Sequence, residues 1–199
     1  MTRVTTNGRN LSKLPFALKL TYSTGQAVEA AINQVLSLFL LYYLTMACGI
    51  PGALAGAAVA LGIIVDAVLD PLIGSSSDAC RSRLGRRLPF MLAGTPMCAL
   101  FFVLAFSVPE GWSTMATFAW VATFSILLRI SMATFSLTYQ AAGAEITDDL
   151  NERAQLVASR WALGIIASII ATLVGFKVYL GGSGALLNRD AYQALAMTL

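Results

Sequence analysis

The sequence contains no histidine, so the usual general base at neutral pH and the commonest metal ligand are both missing. Charge is scarce as well: only 12% of the 199 residues are Asp, Glu, Lys or Arg, against about a quarter in an average soluble domain. Together with 57% hydrophobic residues, this excludes a water-soluble fold. Ten Asp and Glu against 13 Lys and Arg leave a net charge of +3. That is too thin for a phosphate-tracking face, which excludes nucleic acid as a partner. The three cysteines, Cys48, Cys80 and Cys98, are odd in number and scattered in or beside apolar stretches. A disulfide framework or zinc site does not fit that pattern. No nucleophile set, metal cluster or phosphate loop is visible. An enzyme is therefore the weakest reading, and no catalytic residue, metal or cofactor is expected.

What the sequence does have is long apolar stretches. A bilayer core of about 30 Å needs about 20 helical residues, and five stretches reach that length: Phe16 to Leu44, Gly52 to Ser76, Pro89 to Val108, Ser113 to Gly143 and Ala154 to Leu180. A sixth begins near Ala191 and meets the end of the chain at Leu199. The expected fold is all-α, a polytopic bundle over residues 16–199 behind a polar tail at 1–15, with membrane lipid as its surroundings. Positive residues stay on the cytoplasmic side. Arg81, Arg83, Arg86 and Arg87 crowd one connection and Arg153 lies in the next loop on that side, whereas the opposite loops carry little charge. The amino terminus is accordingly expected inside, in a plasma (inner) membrane. Gly52 and Gly56 have the spacing that lets helices approach closely, and a tight contact within the chain is expected there rather than a dimer face.

Ionisable side chains at membrane depth cost at least ~2.5–3.5 kcal/mol each, so they face a cavity or a partner. Asp66 and Asp70 are four apart, which places them on one helix face about 6 Å apart along the axis. Two such carboxylates repel unless a cation lies between them or one holds a proton. Glu29 lies about 20 Å into the first stretch with Asn33 one turn on, and Arg129 lies about 21 Å from the inner end of the fourth. Ser125, Arg129, Ser136 and Gln140 fall near one helical stripe, expected to line water. Glu29 is the expected partner of Arg129, with Asp66 and Asp70 as further acids in reach. A plain structural pairing that holds two helices together is the alternative.

The stretch from Asp66 to Phe90 reads DAVLDPLIGSSSDACRSRLGRRLPF. It resembles the second helix and following loop of the glycoside-pentoside-hexuronide:cation symporters, a branch of the major facilitator superfamily. KLTY at Lys19 to Tyr22 and AEITDDLNERAQLVASR from Ala144 to Arg160 extend the likeness over the chain. The resemblance implies an amino-terminal half of a major facilitator fold, with five complete membrane helices and the start of a sixth. It also implies alternating-access symport of a small polar solute, a sugar or glycoside, driven by H⁺ or Na⁺. It carries cation coordination onto Asp66 and Asp70 and sugar binding onto Arg160. Glu29, Asn33, Arg129 and Gln140 complete the expected solute-binding set. Asp78, Arg81, Arg83, Gly85, Arg86 and Arg87 form the conformational loop, either as a charged clasp between moving helices or as a plain positive-inside anchor. Against the family pattern, Ala30 and Ser136 stand where acids are expected, and Leu69 and Ala133 where neutral oxygen ligands are. These losses favour the proton over sodium. Relatives of the fold also move lipids, so a lysophospholipid carrier and a non-transporting receptor or scaffold stay open. The missing carboxy-terminal half is the expected partner, either as the rest of a longer reading frame or through self-assembly.

Overall fold

The computed structural model describes residues 14–80, 82, 87–182 and 184–198. Arg81, Arg83, Gly85 and Arg86 of the expected loop lie outside the described residues. Among the described residues six α-helices follow in order: α1 (Phe16–Tyr42), α2 (Gly52–Ala79), α3 (Leu88–Ala105), α4 (Thr114–Ala144), α5 (Leu150–Val174) and α6 (Arg189–Thr198). Five of the helical segments are long and apolar enough to cross a membrane.

The helix ends follow from local chemistry. After α1 the chain widens into a π turn over Tyr43–Ala47, and Gly49 then turns it at φ +67°, a conformation that disfavours any residue with a Cβ. Helix α3 stops at Ala105, three residues short of the expected Val108. Pro109 disfavours helical backbone in the residue before it, which limits the helix on that side. Ser113 Oγ caps α4 by accepting from Ala116 N at 3.3 Å. Helix α5 starts at Leu150, four residues before the expected Ala154. Asp149 Oδ1 accepts from the amides of Asn151 (2.7 Å) and Glu152 (3.3 Å), satisfying two of the orphan donors of its first turn. Arg153 donates to the Ala144 carbonyl (2.5 Å) and the Thr147 carbonyl (3.4 Å), closing the end of α4. The polar run between these helices is thus a stitched turn.

Helix α1 packs along α5, while α2 and α3 both pack along α4. Close approach is set by small residues: a Cβ on Gly94 of α3 would sit 3.1 Å from the backbone of Ser131 and Phe135 on α4. The expected contact at Gly52 and Gly56 is absent. Nothing lies within 4 Å of a Cβ placed on either, because α2 meets α4 along the face that carries Gly62. At the end of the bundle near Cys48, Tyr43 is fully buried between Phe106 and Tyr192, with ring centroids 5.3 Å from each. The Tyr43 hydroxyl accepts from Val108 N at 3.2 Å. At the same end Arg189 donates to the carbonyls of Ala47 and Pro109, both at 3.2 Å, tying two connections to the start of α6. Trp112 is partly exposed and meets Trp120 edge-on at 5.3 Å, as an interface aromatic does.

Candidate functional site

The intramembrane charges fall into three groups along α4. The first is between α2 and α4. Arg129 donates to Asp66 Oδ2 at 2.5 Å, with the two side chains 15% and 32% exposed. The contact depends on Gly62, one turn before Asp66 on the same face of α2. A Cβ there would overlap the Arg129 Nε and lie 2.7 Å from its Cδ, so any larger residue would push the arginine side chain out of this slot. Asp70, one further turn along, is half-buried and makes no hydrogen bond or ion pair with any described residue. Pro71 follows inside the helix and has no N–H, which deprives the Ala67 carbonyl of its helical donor. The expected Arg129–Glu29 pair is not formed. At i+4 from the Gly62 slot, Asp66 is the acid that the guanidinium reaches.

The second group joins α1 to α4. Glu29 Oε1 accepts from Ser136 Oγ at 2.7 Å, and Ser136 Oγ accepts from Gln140 Nε2 at 2.9 Å, a directed chain of donors ending on the carboxylate. Glu29 Oε2 is buried without a hydrogen-bond partner among the described residues. A cavity of about 340 Å³ beside it is lined by Thr95, Cys98, Phe102, Met132 and Phe135. Asn33 is exposed and makes no hydrogen bond to Glu29, so the structure does not bring it into this chain. The expected watery stripe is also broken: Ser125 and Ser136 are buried, whereas Gln140 is exposed.

The third group lies near the α4–α5 turn. The Tyr22 hydroxyl donates to the Tyr139 carbonyl at 2.8 Å, the Tyr139 hydroxyl donates to the Tyr22 carbonyl, and the two rings stack at 4.4 Å. Arg160 is buried, with its guanidinium carbon 5.7 Å from the Tyr139 ring centroid and its Nε without a partner among the described residues. A small cavity of about 130 Å³ opens beside it, lined by Tyr22, Gln140, Gly143, Arg153 and Leu156. Two buttresses flank this end. Lys19 pairs with Glu152 at 2.7 Å and donates to Gln155 at 2.6 Å, and Leu14 N donates to Glu152 at 3.2 Å. Arg87 pairs with Glu145 at 3.0 Å, linking the start of α3 to the end of α4. Asp78 falls in the last turn of α2.

Four residues escape a reading by charge and depth alone. Ser136 shows as a missing acid and as a place on the α4 stripe, yet it is the donor to Glu29. Lys19 and Tyr22, three apart in KLTY, share the face on which both make their cross-helix contacts. Gly62 sits in a small-residue run whose other glycines touch nothing.

Residues 21–199 match the model of the family described as MFS/sugar transport protein. An uncharacterized symporter of Synechocystis sp. is 38% identical over 175 residues, 85% of this chain and 32% of that protein. The glucuronide carrier protein homolog of Escherichia coli is 30% identical over 159 residues, 79% and 34% of the two chains. The sodium-dependent lysophosphatidylcholine symporter 1 of Mus musculus is 27% identical over 166 residues, 81% and 31%. The chain spans about a third of the length of the curated relatives it matches. With all-helical architecture, five membrane-length apolar helices and a family match over nearly its whole length, the chain belongs to the MFS/sugar transport protein family of integral membrane symporters.

Proposed function

We propose that this chain forms the amino-terminal half of a cation-coupled secondary transporter for a small polar solute of the sugar or glycoside class, working by alternating access. The observation that carries the reading is the α2 face: Asp70 has no partner among the described residues, one turn from an Asp66 held by Arg129, at a depth where an uncompensated carboxylate is costly. A cation or proton arriving at that face relieves the cost, and its departure restores it. That gives binding a free energy that differs between loaded and unloaded states, as coupling requires. Glu29 with its free buried oxygen, Gln140 at the open end of its donor chain, and Arg160 supply hydrogen-bonding groups suited to hydroxyls and a ring face. Asn33 and Arg129 belong to the same proposed set.

In this reading the amino terminus and the Arg87–Glu145 contact face the cytoplasm, and the connection around Glu110 faces out, from the arginine asymmetry. The partner is a carboxy-terminal half, because major facilitator sites lie between two halves. The family resemblance leaves H⁺ and Na⁺ both in play, with Leu69 and Ala133 favouring the proton. A second reading, a lysophospholipid carrier, is supported by a mostly apolar groove of about 360 Å³ between α1 and α5, lined by Ala30, Trp161, Ile165, Ile169 and Leu173.

The test is uptake of labelled glucuronides, galactosides and lysophosphatidylcholine into vesicles containing the transporter, under an imposed pH gradient or an imposed Na⁺ gradient. Asp70→Asn is expected to abolish uphill accumulation while leaving solute exchange. Accumulation by Asp70→Asn at the parental level sinks the symporter reading, and uptake confined to the lipid selects the second reading.

A further inference from the structure

We propose that Arg129 is a positioning residue that fixes the charge of the ion site: it neutralises Asp66, so that Asp70 alone carries the net charge that draws one monovalent cation. This rests on the symporter reading and departs from a site in which both aspartates are ligands of the ion.

Three observations meet at this point. Arg129 and Asp66 are in direct contact at 2.5 Å, with both side chains largely withdrawn from solvent. The slot at Gly62 is shaped for the arginine, since even a methyl group there would collide with its Nε and Cδ. Asp70 lies one turn away and has no partner among the described residues. The charges on this face therefore sum to minus one rather than minus two. A site of charge minus one binds a single monovalent cation to neutrality. A site of charge minus two would still be charged after the first ion and would favour a second ion or a divalent one.

The same geometry makes Arg129 a competitor. If Asp66 loses its charge, the guanidinium is left uncompensated at membrane depth, and the nearest acid on the same helix face is Asp70, about 6 Å along the axis. Arg129 would then pair with Asp70 and displace the ion. Removing Asp66 alone thus weakens binding and removing Arg129 with it restores binding, which a purely ligating Asp66 does not predict.

The experiment measures Na⁺ and Li⁺ binding by calorimetry to the purified protein in lipid nanodiscs, with helicity and monodispersity checked for every variant. Asp70→Asn should weaken binding at least tenfold. Asp66→Asn should do the same, and the double variant Asp66→Asn/Arg129→Gln should return to within threefold of the parent. Arg129→Gln alone should bind at least tenfold more tightly than the parent, and Gly62→Ala, which evicts the arginine from its slot, should move in the same direction. The double variant replaces the ion pair with a neutral hydrogen-bonding pair of similar size, so it is the variant best placed to fold if Arg129→Gln does not. If the double variant stays as weak as Asp66→Asn, Asp66 is itself a ligand and this inference falls while the symporter reading stands. Failure of both Arg129→Gln and the double variant to bind either ion also overturns it. If the parent binds Na⁺ or Li⁺ and Asp70→Asn binds it as tightly, the symporter reading falls; a parent that binds neither ion overturns this inference and leaves the proton-coupled reading standing.

Discussion

The Lys19–Glu152 contact between α1 and α5 offers a sharp test of what holds the two helices at this end. Both side chains are about nine-tenths buried, at 12% and 8% exposure, and they sit 2.7 Å apart. Replacing Lys19 by Met keeps the aliphatic stem but leaves the Glu152 carboxylate with only the Leu14 amide. An acid that loses its ammonium partner there is left with a single donor, so Lys19→Met is expected to destabilise the bundle. Replacing Glu152 by Gln retains an acceptor for Leu14 N at 3.2 Å and leaves an ammonium that still donates to Gln155 at 2.6 Å, so its loss should be the smaller of the two. Once both charges are gone no orphan remains, and the double variant should lose less than the sum of the single losses. That shortfall is read from a double-mutant cycle, by reversible unfolding in mixed micelles followed by helicity. A double loss within about 0.5 kcal/mol of the sum would refute a mutually compensating pair.

Three further outcomes are expected. Gly143→Ala places a methyl group onto the Tyr22 hydroxyl and should cost about 1–3 kcal/mol by breaking its bond to Tyr139; a Tyr22→Phe background should absorb most of that cost, and a neutral Gly143→Ala would mean that the helices are not this close. Burial pushes the Cys48 thiol above its ordinary range, with Arg189 opposing the shift. Less thiolate is then present at a given pH, so Cys48 should react with maleimide more slowly than a small-molecule thiol at pH 7.5 and gain on it only at higher pH; equal rates at pH 7.5 would contradict its burial. With the native cysteines replaced by Ser, a cysteine at 110 should label from outside intact cells and one at 147 only after permeabilisation, and the reverse pattern would invert the topology.

Helix number, order and most boundaries are legible in the sequence because bilayer-length apolar runs leave few alternatives. The boundary at α5 is not, since Asp148 to Arg153 reads as loop by polarity while Asp149 acts as a cap and Glu152 faces inward. The presence of charge at depth is equally legible, but its pairing is not. Depth placed Glu29, Asp66 and Arg129 at comparable levels. Which acid meets the arginine is decided by a single glycine that lets α2 approach α4, a steric fact invisible to hydropathy. The glycines at 52 and 56 carry the same local pattern as Gly62 and contact nothing, so small-residue spacing names a capacity rather than a contact. Ser136 shows the converse: read against a family pattern it is a loss, yet in place it turns a vacant acid position into a donor for the acid that remains on α1.

The paired tyrosines impose a mechanical condition on how this half can move. Tyr22 and Tyr139 each donate to the other's backbone across two helices that run in opposite directions, with Gly143 facing the Tyr22 hydroxyl and Gly25 facing the Tyr139 ring. Sliding one helix past the other by a single residue, about 1.5 Å, stretches both bonds together, so there is no cheap partial slip. Near the turn that leads into α5, α1 and α4 therefore behave as one lever with a welded joint. Any rocking must take its freedom at the far ends of the helices or in how α2 and α3 ride on α4.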